Sequence, residues 1–265
     1  MSMVSDVGAF MRHQVEGAGW TVALLLRSFT ALVAVPRRLR FILDQMFVTG
    51  VRPLPVTLFV AVFAGMILSL QTGIGLRNTG AHTVIGNIIA LSMCREMGPF
   101  ITAVILAATV GSRMAAELGT MSVSDEITAL EVMSIDPVRF LVMPRVVGLA
   151  LMCPVLTVFA NAVGILGGSI VAEVHLDISF SFYMNSVRES LTEQTFMLPK
   201  DIWVGIVKAV VFGIAIAVVG CSSGLRASGG ALGVGQAVQS AVRNSILLII
   251  VLGYIITWFF FYFLV

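Results

Sequence analysis

The feature that most constrains this chain is a set of five long apolar stretches, each long enough to cross a lipid bilayer. A spanning helix needs about 20 apolar residues to cross roughly 30 Å of hydrocarbon. Hydrophobic residues make up 58% of the chain and charged residues only 11%, whereas a soluble domain carries about 25% charged residues. The sequence therefore predicts an all-α integral membrane protein. The predicted spans cover residues 54–76, 84–116, 140–171, 202–221 and 241–265.

A further apolar stretch, residues 19–36, precedes the first predicted span. It carries Arg27 at its centre, and an arginine at the centre of a spanning helix costs about 2.5 to 3.5 kcal/mol on insertion scales. We therefore expect an interfacial elbow helix that lies in the membrane surface, with a sixth span as the alternative. The chain then divides into an N-terminal membrane-surface segment, residues 1–50, and a transmembrane domain, residues 51–265.

Arginine and lysine residues are distributed unevenly around the predicted spans, with most of them before the first span or beside the loop after the second. The positive-inside rule then places the N-terminus and the loops at 117–138 and 222–240 in the cytoplasm, and the C-terminus on the far side. The loop at 222–240 is rich in glycine and serine and is predicted to be flexible. On the external side, residues 178–195 predict an amphipathic helix that lies on the outer leaflet.

The sequence lacks the residue patterns that membrane enzymes and nucleotide-binding proteins need. It has no HExxH motif, no aspartate inside a predicted span, and no Gly-Lys-Ser/Thr after its glycine-rich segment. Its three cysteines are far apart, and its basic residues are scattered, with a net charge of +2. We therefore predict no covalent chemistry, no metal or cofactor on this chain, and no binding of nucleic acid.

Two adjacent charges, Arg95 and Glu96, lie inside the second predicted span. Adjacent side chains on a helix point about 100° apart, so each of them needs a partner elsewhere. Pro99 has no amide hydrogen, so the helix should loosen or kink there. Lys208, in the fourth span, lies at a similar depth by helical rise. We expect Glu96 and Lys208 to pair, with Arg95 beside them, at a cavity for a charged headgroup. The alternative is an ion pair that only fixes helix register.

The loop between the second and third spans predicts a short amphipathic helix at about 122–135. Ser122 or Ser124 can cap its start, Asp125 and Glu126 suit its first turn, and Asp136-Pro137 ends it. The acidic character of this helix disfavours an anionic membrane surface. Docking into a groove of a partner protein is therefore favoured over contact with the bilayer.

Four segments of the sequence resemble the MlaE/YrbE permeases of the MCE-associated ABC transporters, a family that moves phospholipids or other lipids between membranes. The resemblance extends over about residues 50–265. The segments are GMILSLQ from 65, CREMGPFITAVILAATVGSRMAAELGTM from 94, DEITALEVMSIDPVRFLVMPRVVG from 125, and VKAVVFG from 207.

The resemblance implies a homodimeric permease in the bacterial inner membrane, with phospholipid bound at the dimer centre and a coupling helix between the second and third spans. Two ABC ATPase subunits would bind ATP and Mg²⁺, a periplasmic hexamer of MCE domains would lie above, and a STAS-domain protein joins in some systems. The residues that it implies for the lipid cavity are Leu68, Gly75, Leu76, Thr79, Arg95, Glu96 and Lys208. The residues that it implies for ATPase coupling are Ser124, Asp125, Glu126, Leu130, Glu131 and Met133.

Two other functions stay open. The first is an autonomous ion-coupled transporter or channel in which Glu96 and Lys208 relay protons, which predicts transport by the lone chain in liposomes. The second is a membrane scaffold without transport, which predicts that Arg95→Ala combined with Glu96→Ala leaves lipid traffic intact.

Overall fold

A computed structural model describes residues 17, 19–28, 30, 39–76, 84–191, 194–195 and 198–264 of the chain. Within this part, the chain is almost entirely helical, and one antiparallel pair of two-residue strands, β1 (Gln194–Thr195) and β2 (Leu198–Pro199), is present. The helices are α1 (19–28), α2 (Leu39–Gly50), α3 (Leu54–Leu76), α4 (Ile85–Val123), α5 (Glu126–Val132), α6 (Val138–Leu176), α7 (Phe180–Ser190), α8 (Lys200–Leu225) and α9 (Gly230–Leu264).

Among the described residues, five helices are long and apolar enough to cross a membrane, namely α3, α4, α6, α8 and α9. This confirms the prediction of an all-α integral membrane protein. The spans alternate in direction, so the bundle has two ends, which we call the α5 end and the α7 end after the short helices found there. Helices α4 and α6 are each 39 residues long, longer than the predicted spans, because α4 continues past its apolar stretch toward α5 and α6 extends at both ends, mainly toward α7.

The prediction of a flexible loop at 222–240 is wrong. Helix α8 continues to Leu225 and α9 begins at Gly230, so only four residues connect them. The small residues serve close packing, since a Cβ at Gly224 would lie 2.8 Å from the carbonyl oxygen of Ala115 on α4. The turn itself uses Gly229 and Gly230, which have φ of 87° and 71°, a region that L side chains rarely adopt.

Small residues also set the contact between α3 and α6. A Cβ at Gly167 would lie 2.5 Å from the carbonyl oxygen of Val62, and a Cβ at Gly65 would overlap the backbone of Gly164. Because glycine has no side chain, the two backbones can approach to direct contact, as in other small-residue helix pairs in membranes. Helix α2 packs on the other end of α6 through Ile42 and Met143.

Helix α7 packs one face on the protein, and the predicted placement of residues 178–195 on the outer leaflet stays a prediction. Its apolar residues Tyr183 and Val187 are buried against Ile85 and Ile89 at the start of α4. The Tyr183 hydroxyl donates to the carbonyl oxygen of Ile165 at 3.2 Å, so the buried polar group is paired. Burial raises the pKa of the Tyr183 phenol above its usual value.

The described part of the predicted surface segment, α1, lies against the α5 end of the bundle. Leu24 is buried in the main core, while Trp20, Val22 and Leu26 are exposed. The Thr21 and Ser222 hydroxyls are 2.7 Å apart, which fixes α1 to the last turns of α8. Ten helical residues extend only about 15 Å, and most of 29–36 lies outside the described residues, so interfacial placement stays a prediction.

Candidate functional site

A cluster of charged and polar side chains lies between α4, α8 and α9 toward the α7 end. We call it the Glu96 cluster, and it begins with a local change in α4, which widens into a π-helical turn at Met93–Met97. The Gly98 amide donates to the carbonyl oxygen of Met93, five residues back. The predicted loosening before Pro99 is therefore confirmed. The cluster consists of Arg95, Glu96, Asp201, Lys208 and Thr257.

Glycine allows α8 to approach this turn closely. A Cβ at Gly205 would overlap the carbonyl oxygen of Cys94, so any larger residue would separate the two helices. Lys208 follows three residues later, about one helical turn, and therefore projects from nearly the same face of α8. The close approach brings its amine to the backbone of the π-helical turn.

The amine of Lys208 is bonded to three acceptors. Its Nζ lies 2.5 Å from Glu96 Oε1, 2.8 Å from Thr257 Oγ1 and 3.0 Å from the backbone carbonyl oxygen of Arg95. That carbonyl would normally accept the amide of residue 99, which proline lacks. Because an ammonium group has three donors, Lys208 is fully satisfied although only 1% of its side chain is exposed.

Arg95 pairs with Asp201, a partner that the sequence analysis missed. Its Nε donates to Asp201 Oδ1 at 2.8 Å, and its Nη2 contacts the same oxygen. Asp201 is buried in the first turn of α8, a position where a helix favours acidic residues. It precedes Lys208 by seven residues, two helical turns, and this spacing is the sequence signal that indicates a shared face.

Beside the cluster is a cavity of about 300 Å³ between α4, α8 and α9. Its charged end is formed by Glu96 and Lys208, and 42% of the Glu96 side chain is exposed. Most other lining side chains are apolar, so the cavity can take a group that is polar at one end and apolar at the other. The lining consists of Glu96, Met97, Phe100, Lys208, Phe212, Ile249, Ile250, Gly253, Tyr254 and Thr257.

The structure brings together three of the seven predicted cavity residues, Arg95, Glu96 and Lys208, and the predicted contact between Glu96 and Lys208 is present. Leu68 and Leu76 instead pack on the apolar cluster under α7. Gly75 is exposed, and a Cβ there would meet open space. Thr79 lies outside the described residues. The binding role predicted for all seven stays a prediction.

The segment between α4 and α6 differs in detail from the predicted helix at 122–135. Helix α4 continues to Val123, a turn with Asp125 at φ 58° follows, and α5 covers only Glu126–Val132. Neither predicted serine caps α5. Ser122 lies inside α4, where its hydroxyl contacts the carbonyl oxygens of Leu225, the last residue of α8, and of Ala227 in the connection to α9. The Ser124 hydroxyl donates back to Thr120 at 2.9 Å.

The predicted end of this helix also differs, because α5 stops at Val132, before Asp136 and Pro137. Asp136 Oδ1 accepts the Val138 amide at 3.0 Å, so the carboxylate stabilises the start of α6. Ser134, at φ 59°, forms the intervening turn.

The short helix α5 and its flanks expose acidic and apolar side chains together. Leu130 is half-buried toward the bundle, while Val132 is 80% exposed. Apolar groups beside carboxylates at a projecting end are typical of a surface that binds protein. The other five predicted coupling residues, Ser124, Asp125, Glu126, Glu131 and Met133, are all exposed, and their role stays a prediction.

A second charged cluster, which we call the Glu117 cluster, lies near the α5 end and was also missed from the sequence. Glu117 on α4 accepts from Arg113 Nε at 2.6 Å and from Arg145 Nη2 on α6 at 3.1 Å. Arg145 is buried and also donates to the Leu141 carbonyl oxygen at 3.0 Å. The spacing of Arg113 and Glu117, four residues on one helix, indicates their pair. The contact with Arg145 depends on tertiary packing.

These observations define a multi-pass membrane protein with a ligand-sized cavity at one end and an exposed connecting helix at the other. The chain belongs to the MlaE permease family, whose members it matches over residues 42–259, which confirms the resemblance read from the sequence. It is therefore a permease, a membrane-spanning transport subunit.

Individual relatives agree with this assignment. The chain is 35% identical over 253 residues to a probable ABC transporter permease protein of Rickettsia prowazekii, covering 94% of this chain and 95% of the relative. It is 38% identical over 219 residues to another of Synechocystis, covering 83% and 81%. The chloroplast protein trigalactosyldiacylglycerol 1 of Arabidopsis thaliana is 36% identical over 219 residues, covering 83% of this chain and 61% of that protein.

Proposed function

We propose that this permease moves phospholipid or a related lipid, and that ATP hydrolysis on a separate subunit drives the movement. The observation that carries the proposal is the cavity beside the Glu96 cluster, which has one charged end and apolar walls. A lipid is amphipathic in the same way, with a charged headgroup joined to hydrocarbon. One relative of the chain is also named for a glycolipid, trigalactosyldiacylglycerol.

Within the cluster, Glu96 is the group with spare capacity for a headgroup. Lys208 already donates to three acceptors, and Arg95 is paired with Asp201 and does not line the cavity. The Glu96 carboxylate is half-exposed, and a carboxylate has about four lone-pair positions. It can therefore accept a hydrogen bond from the ammonium or hydroxyl group of a headgroup. Aromatic and aliphatic walls, including Phe100, would contact the first part of the acyl chains.

The size of the cavity supports a homodimer. About 300 Å³ is at the low end for small-molecule sites, and it is too small for a lipid with two acyl chains. Two copies that face each other across α9 would combine their cavities. The exposed aromatic residues of α9, among them Tyr254 and Trp258, would then line or flank the shared space.

In the proposed assembly, two ABC ATPase subunits bind ATP and Mg²⁺ and receive α5 from each permease. A periplasmic MCE-domain hexamer takes or delivers the lipid at the α7 end, and some assemblies include a STAS-domain protein. The α5 end and the N-terminus then lie in the cytoplasm of a bacterial cell, the C-terminus lies in the periplasm, and the permease lies in the inner membrane. The exposed acidic and apolar side chains of α5 support the ATPase contact.

Helix α4 supplies the mechanical connection between the two ends. It carries Glu96 in its first half and continues to Val123, directly before α5. At 1.5 Å per residue this distance is about 40 Å. When the ATPase subunits close on nucleotide, they would push α5, shift α4 and α6, and narrow the cavity so that bound lipid leaves it.

The test fills the cavity and compares that change with the same change one residue away. Ile250→Trp places an indole in the cavity, whereas Val251, which is also exposed, does not line it. We expect Ile250→Trp to lower ATP-dependent transfer of a fluorescent phospholipid in the reconstituted complex by about tenfold or more, because the indole occupies the space of the lipid. A tenfold loss corresponds to about 1.4 kcal/mol of binding free energy. Val251→Trp should transfer lipid at nearly the wild-type rate.

Equal transfer rates in these two variants and the wild type would contradict the lipid site. Transport by the lone chain in liposomes, driven by a proton gradient without nucleotide, would favour the ion-coupled alternative. Lipid traffic that survives Arg95→Ala combined with Glu96→Ala would favour the scaffold alternative.

A further inference from the structure

A second and larger cavity, of about 660 Å³, lies at the α5 end of the bundle, between α1, the end of α8 and the start of α9. It is far from the Glu96 cluster along α9, since Gln236 and Thr257 are 21 residues and about 30 Å apart on that helix. Its described lining consists of Gly17, Thr21, Val22, Val219, Ser222, Ser223, Arg226, Ala227, Ser228, Gly233, Gln236, Ala237, Gln239, Ser240, Arg243, Asn244 and Leu248.

The charge of this cavity is positive. Two arginines, Arg226 from α8 and Arg243 from α9, line it, and no aspartate or glutamate is among the described lining residues. Within the part of the chain that the structure describes, neither guanidinium has a carboxylate partner. Among the described residues, Arg243 makes one long contact of 3.5 Å, with the side chain of Asn244. With respect to this part of the chain, both arginines keep donors available.

The backbone adds to the positive character. Gly233, the fourth residue of α9, lines the cavity beside the Ser228 carbonyl oxygen, and the N-terminal turn of a helix carries partial positive charge. Two carbonyls at the end of α8 have donors. Ser122 contacts the Leu225 oxygen at 3.3 Å, and the Ala227 amide donates to the Gly224 oxygen at 2.9 Å.

Neutral polar groups complete the lining. Ser222, Ser223 and Ser240 contribute hydroxyls, and Gln236 and Gln239 contribute amides. Such groups, together with arginine and a helix N-terminus, are the usual donors to phosphate oxygens in proteins. The volume is well within the range of small-molecule sites.

The surroundings indicate where the phosphate comes from. Val22 and Leu248 give the cavity an apolar margin, and α1 exposes Trp20 and Leu26 beside it. Tryptophan and arginine together are typical of the membrane interface, at the level of the headgroups. We infer that this cavity binds the phosphate group of an anionic phospholipid from the leaflet at the α5 end, as a second lipid site separate from the Glu96 cavity.

This site does not depend on the proposed transport function. A permease for a different cargo would still hold an anionic lipid here, and the measurement is an equilibrium one that needs neither ATP nor a partner subunit. Loss of ATP-driven transfer in the Ile250→Trp experiment and loss of lipid binding at this cavity are therefore separate results.

The experiment measures binding of phosphatidylglycerol to the purified full chain by native mass spectrometry. The variant is Arg226→Gln combined with Arg243→Gln. We expect its Kd for phosphatidylglycerol to rise about tenfold or more, because two charge-assisted contacts are lost. Diacylglycerol with the same acyl chains lacks the phosphate, and its binding should not change. Both arginines are exposed, so the variant should fold as the wild type does.

Two further variants make the result specific. Arg226→Lys combined with Arg243→Lys keeps the charge and should bind within about threefold of wild type, although Lys loses the bidentate geometry. Arg52→Gln removes an exposed arginine at the same end but outside the cavity, and it should bind phosphatidylglycerol as wild type does.

A third arm of the experiment distinguishes the two possible sources of the phosphate group, a lipid headgroup and free inorganic phosphate. If millimolar inorganic phosphate leaves lipid binding unchanged, the lipid headgroup is the ligand. If phosphate binds and phosphatidylglycerol does not, the cavity is not a lipid site and the inference is overturned. It is also overturned if the double glutamine variant binds phosphatidylglycerol like wild type, or if Arg52→Gln weakens binding as much.

Discussion

The Glu96 cluster and the Glu117 cluster pair the same kinds of side chain at opposite ends of one helix, α4, but in different surroundings. In each, a buried cation on another helix meets a glutamate of α4, Lys208 from α8 in one and Arg145 from α6 in the other. Lys208 and Glu96 line a cavity. The Glu117 cluster lines neither of the two described cavities and lies close to α5.

The difference separates two uses of buried charge in a membrane protein. A charge beside a cavity can contact a ligand. The desolvation cost of placing that charge inside the membrane is offset when the ligand is polar. A charge that only connects two helices holds them together, and its removal leaves an uncompensated partner. We therefore expect changes in the Glu96 cluster to affect binding of lipid, and changes in the Glu117 cluster to affect how α4 and α6 move with α5.

The largest effect is expected for Lys208→Met, which removes the buried cation and keeps most of the side-chain volume. Glu96 then keeps only Thr257 within the cluster, and the Arg95 carbonyl loses its donor. We expect a loss of about 2 kcal/mol in stability, less than for a fully buried pair because Glu96 can be rehydrated. We also expect lipid binding to fall more than about tenfold. Thermal unfolding and native mass spectrometry of bound lipid measure the two effects.

Lys208→Arg is the control for Lys208→Met, since it keeps the charge and tests its geometry. If Lys208→Met binds lipid as wild type does, the cluster only fixes helix register, and the contrast with the Glu117 cluster disappears.

A second large effect is expected for Glu131→Lys on α5. The change reverses an exposed charge at the proposed ATPase contact, and reversed charges at an interface weaken association, here by about ten- to a hundredfold. ATP hydrolysis should then no longer respond to added lipid, although lipid still binds. The measurement is lipid-stimulated ATPase activity of the purified complex.

Glu173→Lys is the matched control for Glu131→Lys, because Glu173 is an exposed glutamate near the α7 end of α6. Full lipid stimulation in the Glu131→Lys complex would count against docking through α5.

Part of the Glu96 cluster could be predicted from the sequence, and the reason is specific. A charged residue in an apolar span needs a partner at the same depth, and helical rise alone matches Glu96 with Lys208. Thr257 could not be found in this way, because one threonine in an apolar span can equally bond its own helix. Its hydroxyl indeed also lies 2.7 Å from the Gly253 carbonyl oxygen.

The connection between α8 and α9 shows the opposite outcome. Its glycines and serines have the composition of a flexible loop, and hydropathy cannot distinguish a small residue that turns the chain from one that lets two helices touch. Gly224, where a Cβ would lie 2.8 Å from the Ala115 carbonyl oxygen, serves close packing, whereas Gly229 serves the turn. The two roles differ only in whether another helix lies opposite the glycine, and this is a property of tertiary structure.

A moderate effect is expected for Arg145→Met in the Glu117 cluster. The change removes the contact from α6 to Glu117 and the bond to the Leu141 carbonyl oxygen. Glu117 keeps Arg113 and is half-exposed, so we expect about 1 to 2 kcal/mol less stability. Lipid binding should be unchanged, while lipid-stimulated ATPase activity should fall several-fold. Equal losses of lipid binding in Arg145→Met and Lys208→Met would show that the two clusters do not differ in role.

The smallest effect is expected for Thr257→Val, which keeps the shape of the side chain and removes only its hydroxyl. Lys208 loses one of three acceptors, and Glu96 loses a contact at 3.0 Å, but the Glu96 to Lys208 bond remains. One hydrogen bond of this kind contributes about 1 kcal/mol, so lipid affinity and stability should each change by no more than about fivefold in the equilibrium constant. Because the ion pair survives, this variant separates the charge from the surrounding hydrogen bonds. A loss as large as that of Lys208→Met would mean that Thr257 contacts the lipid directly. In that case Thr257→Val would also weaken binding of a lipid whose headgroup has no hydroxyl or ammonium group, and by the same factor.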